Sequence, residues 1–360
     1  MDDTLPTGDL AARRLIDAVG NRLEEALRTV EDQLRFRHAL AALPAQWRAV
    51  RHDAAALRRA ALGGEPAALA RDVGGDPGRP GVAISGAPHA GGVAVLAANL
   101  ARAREAARSL EEELRRGSGA LAPTAERIRY RIYALEGATL GFLHRRARLA
   151  EARLHVLVTT ALASGAPEEV AAAAIRGGAQ MIQLREKSLE GREFLALAER
   201  LREITSREGA LLIINDRVEI AALSGADGVH LGQGDIRAAQ ARRFLGPEAI
   251  IGLSTHDPTE AARAAEEGAD YIGVGPLHET RTKEHRRAVG LGFIAAAAAA
   301  TDLPGFAIGG VNRETIPAVL AAGARRVAIC TGVIADPDPE GAARHFRALV
   351  DRAAGAASPR

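Results

Sequence analysis

The chain has 360 residues, 47 basic against 45 acidic, with 47% hydrophobic and 26% charged residues. This is the composition of a folded globular protein of about two domains, and it excludes global disorder. The net charge of +2, without a long block of one sign, implies no polyanion-binding surface and no nucleic-acid partner. 

The single cysteine, Cys330, excludes a disulfide scaffold and a cysteine-built zinc site. No apolar run approaches the ~20 residues of a membrane span, and the opening residues lack a signal-peptide core. A soluble, cytoplasmic protein without a membrane partner is the expectation.

In chain order, the first elements are helical. Segments 11–42, 95–116 and about 122–150 are rich in Ala, Leu, Arg and Glu, with apolar residues at helical spacing. Between the first two lies GGDPGRPGVAISGAPHAGG (74–92), a loop composition. The helical region repeats itself. At an offset of 80, Arg22, Glu25, Arg28 and Glu31 match Arg102, Glu105, Arg108 and Glu111, each set near an asparagine (Asn21, Asn99). Arg51 and Arg129 form a second echo. Such a pattern is either a solvated, salt-bridged face or a site shared between two similar halves.

After residue 150 short apolar runs alternate with helical stretches. Strands are predicted at 154–160, 179–186, 210–216, 228–233, 249–256, 271–278, 305–310 and 326–332, with a final helix from about 338 to 353. Near-continuous apolar strands are buried on both faces, as in a parallel sheet. Eight βα units imply an α/β fold, a (β/α)8 TIM barrel over 152–356, preceded by an all-α domain over 10–148. A doubly wound open sheet is the alternative.

In such a barrel the chemistry gathers where strands end. Those ends carry Gln183, Leu184, Arg185, Glu186 and Lys187, then Asn215 and Asp216, Asp235, Ser254 with His256, Thr280, Thr282 and Lys283, Gly309 and Gly310, and Cys330 with Thr331. Lys187 and Lys283 are the only lysines in the chain, and both fall on this face. Basic side chains and hydroxyls suit an anionic ligand. The loops after strands seven and eight are the usual phosphate seat of the fold. Asp216 and Asp235 end adjacent strands, so each is either an N-cap or, as a pair beside phosphates, a Mg2+ ligand.

The motifs QLREK (183–187), ND (215–216), GVHLGQGD (228–235), GLSTH (252–256), GVGPLHETRTK (273–283), AIGGV (307–311) and VAICTGVI (327–334) run in one order. Together they resemble the thiamine-phosphate synthase family over about 153–355. The resemblance implies a Mg2+-dependent transferase acting on two small molecules. It would join hydroxymethylpyrimidine diphosphate to hydroxyethylthiazole phosphate with release of pyrophosphate. Within the QLREK run, Gln183, Arg185 and Lys187 would bind the pyrimidine diphosphate with Asn215, and Leu184 and Glu186 would line the same site. Asp216 and Asp235 would hold Mg2+, and Ser254 would contact the pyrimidine. Thr280, Thr282, Gly310, Cys330 and Thr331 would bind the thiazole phosphate, and Lys283 the diphosphate. Arg185, Lys187, Ser254 and Lys283 would carry the catalysis. Cys330-Thr331 departs from the Val-Ser often found there. The segment 278–290 is expected to be a mobile lid. A thiazole-tautomerase-like barrel, or a phosphate-sensing barrel without turnover, are the other readings.

Residues 10–145 resemble the helical domain fused ahead of some of these synthases, through the two repeats, RDVGGD (71–76) and RIRYRIYALE (127–136). That domain is associated with phosphorylating hydroxymethylpyrimidine phosphate. Two readings stand: a kinase feeding the barrel, or a helical regulatory or oligomerisation module, which leaves a homo-oligomer open.

Overall fold

The computed structural model describes residues 10–37, 42–63, 92–117, 119–279 and 287–355. RDVGGD, Thr280, Thr282, Lys283 and most of the expected lid lie outside the described residues. The chain divides into two compact units, Met1–Leu140 and Gly141–Arg360.

The first unit is helical: α1 (Leu10–Asp32), continued by a wider π-helical turn (Gln33–Arg37), α2 (Ala42–Ala61), α3 (Gly92–Gly117) and the larger part of α4 (Ala122–Ala150). Helix α1 buries Ile16, Val19, Leu23, Leu27 and Val30 on one face, and α3 buries Leu96, Leu100, Ala103, Ala107, Leu110 and Leu114. That three-and-four spacing is why these segments are helices packed on a shared core. The predicted helix over 11–42 ends earlier, and α2 is an element that the periodicity did not reveal. Its Pro44 falls in the first turn, where a missing N–H costs no hydrogen bond.

The internal repeat survives as paired ion pairs. Buried Glu31 accepts from Arg48 (2.6 Å) and Arg51 (3.1 Å), and buried Glu111 accepts from Arg129 and meets Arg115 at 2.7 Å. Glu24–Arg58 (2.8 Å) has its counterpart in Arg104–Glu136 (3.5 Å), with the charges exchanged. Asp53 and Arg131, equivalent by the repeat, pair with each other, as equivalent residues do when they meet at a two-fold axis. Most charges of the repeat form the solvated, salt-bridged face that is one of its two readings. Arg22, Glu25, Arg28, Arg102, Glu105 and Arg108 are exposed, and Arg28 and Arg108 make i,i+4 pairs to Asp32 and Glu112. Only the two glutamates of the pattern turn inward.

The second unit is the expected barrel. Eight parallel strands close in sequence order: β1 (Leu154–Val158), β2 (Met181–Leu184), β3 (Leu211–Asn215), β4 (Gly228–Leu231), β5 (Ile250–Thr255), β6 (Tyr271–Val274), β7 (Gly305–Ile308) and β8 (Val327–Ile329). Around them lie α5 (Pro167–Arg176), α6 (Gly191–Glu208), α7 (Val218–Ser224), α8 (Ala238–Leu245), α9 (Pro258–Ala264), α10 (Gly292–Ala300), α11 (Ile316–Ala321), α12 (Thr331–Ile334) and α13 (Pro339–Gly355). Closure by β1–β8 pairing excludes the open sheet. Strand residues alternate between two cores. Val156, Ile182, Ile214 and Ile251 face the helices. Leu157, Met181, Ile213, Ile250, Tyr271 and Phe306 fill the interior, as a two-residue period requires. At the N-terminal end, the last turns of α4 add Leu149 to that interior core. Arg145 pairs with Asp270 (2.8 Å) and Arg148 with Asp227 (2.5 Å). This end is built for stability, which leaves the opposite end for chemistry.

Candidate active site

The inward register carries polar side chains where each strand nears its C-terminal end: Gln183 on β2, Asn215 on β3, His230 on β4 and Ser254 on β5, all buried. Just beyond the strands stand Arg185, Lys187, Asp216 and Asp235, where the sequence placed them.

Asp216 holds a left-handed backbone, φ 62°, unusual away from glycine. Its N–H donates to the His230 carbonyl (2.9 Å), which fixes the turn that brings its carboxyl back to the mouth. Neither aspartate caps a helix: α7 and α8 start after Arg217 and Arg237. The two carboxyls face each other instead. Burial, then the charge and hydrogen bond of Asp235, push Asp216 up to about 6, and Arg185 and Lys187 only partly offset this. Asp235 also accepts from the Gly232 N–H (2.6 Å). Two oxygen-bearing groups that repel each other beside two cations suit a hard divalent ion completed by phosphate oxygens. Among the described residues no three His, Cys, Asp or Glu side chains cluster for a metal, so such an ion would have two protein carboxylates.

Across the mouth, Gly309 and Gly310 have φ of 99° and 66°. A Cβ on Gly309 would stand 2.5 Å from Pro276 Cα, and one on Gly310 2.7 Å from His278 Cβ. Only glycine gives this turn, and it bares the backbone for close approach of a ligand. Cys330 and Thr331 adjoin it, where β8 passes into α12. Burial pushes the Cys330 thiol up to about 11, against the pull of the Arg185 charge. The thiol therefore stays protonated, as a packing group beside the arginine.

Two residues of the QLREK run serve the scaffold. The Leu184 side chain belongs to the helix-facing core, so it turns away from the mouth. Glu186 accepts from the Thr160 N–H (2.6 Å) and hydroxyl (3.0 Å), which ties the loop after β1. His256 shares Glu260 between its N–H and its Nδ1, each at 2.8 Å, which fixes its ring.

The sequence reading overlooked the interior floor of the site. His230 Nε2 lies 3.0 Å from Ser254 Oγ, and its Nδ1 lies 3.1 Å from the Tyr271 hydroxyl. Gln183 Nε2 faces His155 Nε2 at 3.4 Å. His155, edge-on to Tyr271 and Phe306, is driven by burial down to about 3, so it is a neutral ring of the core. The signal was present: His230 stands at an inward position of GVHL, and glycines face it from GLSTH and GVGP.

The thiamine monophosphate synthase family profile matches residues 154–333, and the ThiD2 family profile matches 14–138. The thiamine-phosphate synthase of Gloeobacter violaceus is 42% identical over 329 residues, 91% of this chain and 93% of that protein. The one from Thermosynechococcus vestitus is 38% identical, spanning 93% of each. Among solved structures, a thiamine phosphate pyrophosphorylase from Pyrococcus furiosus is 31% identical with a TM-score of 0.52. That alignment covers 59% of this chain and 98% of that one.

Proposed function

The chain belongs to the thiamine-phosphate synthase family, and from that premise we propose how its barrel mouth performs the condensation of a pyrimidine diphosphate with a thiazole phosphate. One observation carries the reading: the facing pair Asp216–Asp235, flanked by Arg185 and Lys187. Asp216 and Asp235 would hold Mg2+, which would supply charge neutralisation on the diphosphate. Arg185 and Lys187 bind the same diphosphate, with Asn215 beside them. The bond between the pyrimidine methylene carbon and the diphosphate oxygen breaks, and its electron pair leaves with pyrophosphate. The aminopyrimidine ring spreads the positive charge left on the methylene. The thiazole nitrogen then gives its lone pair to that carbon, and proximity supplies much of the rate. Gln183 and Ser254 orient the pyrimidine. The backbone at Gly309 and Gly310, with Thr331, seats the thiazole phosphate. Thr280, Thr282 and Lys283, outside the described residues, would complete the set. Leu184 and Glu186 are not side-chain ligands in this scheme.

The test uses the full chain with both substrates. Turnover that requires Mg2+, vanishes with chelator and returns on adding the ion supports the assignment. Metal-independent formation of thiamine phosphate contradicts it. A tautomerase-like barrel needs a base rather than this diphosphate set, and would release no pyrophosphate.

For the helical unit, the ThiD2 match over 14–138 favours a kinase that supplies the diphosphate. The full chain, given hydroxymethylpyrimidine phosphate, ATP and Mg2+ without the thiazole phosphate, then accumulates hydroxymethylpyrimidine diphosphate. No diphosphate from a chain that is active as a synthase leaves an accessory module.

A further inference from the structure

A row of buried polar groups crosses the barrel interior and ends at Ser254. Burial pushes the Tyr271 phenol well above its ordinary range, so the hydroxyl keeps its proton. That hydroxyl lies 3.1 Å from His230 Nδ1, and a neutral phenol is a stronger donor than acceptor toward an imidazole nitrogen, so it donates to Nδ1. A ring that accepts at Nδ1 carries its proton on Nε2. That proton points at Ser254 Oγ, 3.0 Å away. Ser254 accepts it and turns its own hydroxyl hydrogen elsewhere. 

Tyr271 is fully buried, and His230 and Ser254 nearly so. The strands leave room for the row. A Cβ on Gly252 would overlap the Tyr271 ring and stand 2.5 Å from His230 Nδ1, and one on Gly273 would stand 3.3 Å from His230 Cε1. Neither glycine has a positive φ. Both positions are bare to admit these two side chains, which is a cost to a strand interior that packing alone does not require.

We propose that Tyr271 and His230 are positioning residues: Tyr271 fixes His230 as the Nε2–H tautomer, and His230 thereby makes Ser254 a hydrogen-bond donor toward a ring nitrogen of the pyrimidine substrate. The proposal rests on the reading that Ser254 faces the pyrimidine. The row gives the site a directional demand. It selects a heteroaromatic ring with an acceptor nitrogen at that point over one that presents a C–H or N–H there.

The direct test is 15N NMR of the histidine rings in the full chain, with His230 assigned through His230→Gln. The Nε2–H tautomer is expected in the wild type, with a tautomer mixture in Tyr271→Phe. An Nδ1–H ring in the wild type, or an unchanged ring in the variant, overturns the relay. 

Kinetics give a second test. Tyr271→Phe should raise KM for the pyrimidine diphosphate about tenfold, the worth of one neutral hydrogen bond, and leave KM for the thiazole phosphate unchanged. In a His230→Gln background the same change should cost nothing, because a glutamine amide donates without tautomer control. Equal effects in both backgrounds overturn the proposal. Failure of the underlying reading shows separately: Ser254→Ala would leave KM for the pyrimidine diphosphate unaltered while the ring of His230 still held the Nε2 proton.

Discussion

The two units spend their charges in opposite ways. In the helical unit, the buried acids face arginines on neighbouring helices: Glu31 with Arg48 and Arg51, Glu111 with Arg129, Asp17 with Arg58. The charges close on one another and hold helices together. At the barrel mouth, Asp216 and Asp235 face each other, and Asp216 is pushed up to about 6 despite Arg185 and Lys187. A like-charged pair left in place is a poor way to stabilise a fold and a good way to await a cation. The difference separates charge that closes on an opposite charge from charge left facing its like, a distinction that a list of charged residues does not contain.

The largest effect should separate the two uses. Lys187 is exposed, so Lys187→Ala should leave the thermal midpoint in place while synthase kcat falls about 10²- to 10³-fold. A fall in stability with activity intact would break the comparison. Glu111→Ala should do the reverse. It leaves Arg129 buried without its carboxylate, which costs about 3 kcal/mol of unfolding free energy, with synthase kcat unchanged. Denaturant unfolding read beside steady-state assays checks both. 

Gly310→Ala should follow in size, raising KM for the thiazole phosphate about tenfold, because the added Cβ strains a positive-φ turn and displaces the backbone seat. The smallest effect is one of pH. Burial would raise Glu31, but Arg48 and Arg51 hold it below the usual 4.5. Its native pKa is thus below its unfolded one. The stability it contributes is present above about pH 4.5 and is lost as pH falls through the lowered native value. Acid unfolding of Glu31→Gln should show a shallower slope there.

The barrel was legible because its chemistry sits at strand ends, and strand ends are marked by a change from apolar runs to polar and glycine residues. Asp216 after LLIIN and Gly309-Gly310 after GFAI stand where that change predicted. The strands are shorter than the apolar runs predict. The run from Tyr271 gives a strand only to Val274, because Pro276 offers no N–H to a ladder. His230 and Tyr271 were passed over because an inward polar residue in a strand looks like its apolar neighbours until cross-strand partners are known. The helical repeat was visible as a pattern, but pattern did not tell direction. Arg28 and Glu31 are three apart, yet one is exposed and the other buried. Helix α2 falls in a stretch for which the sequence pattern predicts no element.

The central claim is that thiamine phosphate forms at the barrel mouth around the carboxylate pair. The measurement is thiamine phosphate and pyrophosphate release, followed together, by the full chain and by an Asp216→Asn, Asp235→Asn double variant, with both substrates and Mg2+ saturating. The account predicts one pyrophosphate per thiamine phosphate in the wild type, and a loss of about 10³-fold or more in the variant. A double variant that turns over at the wild-type rate would contradict it.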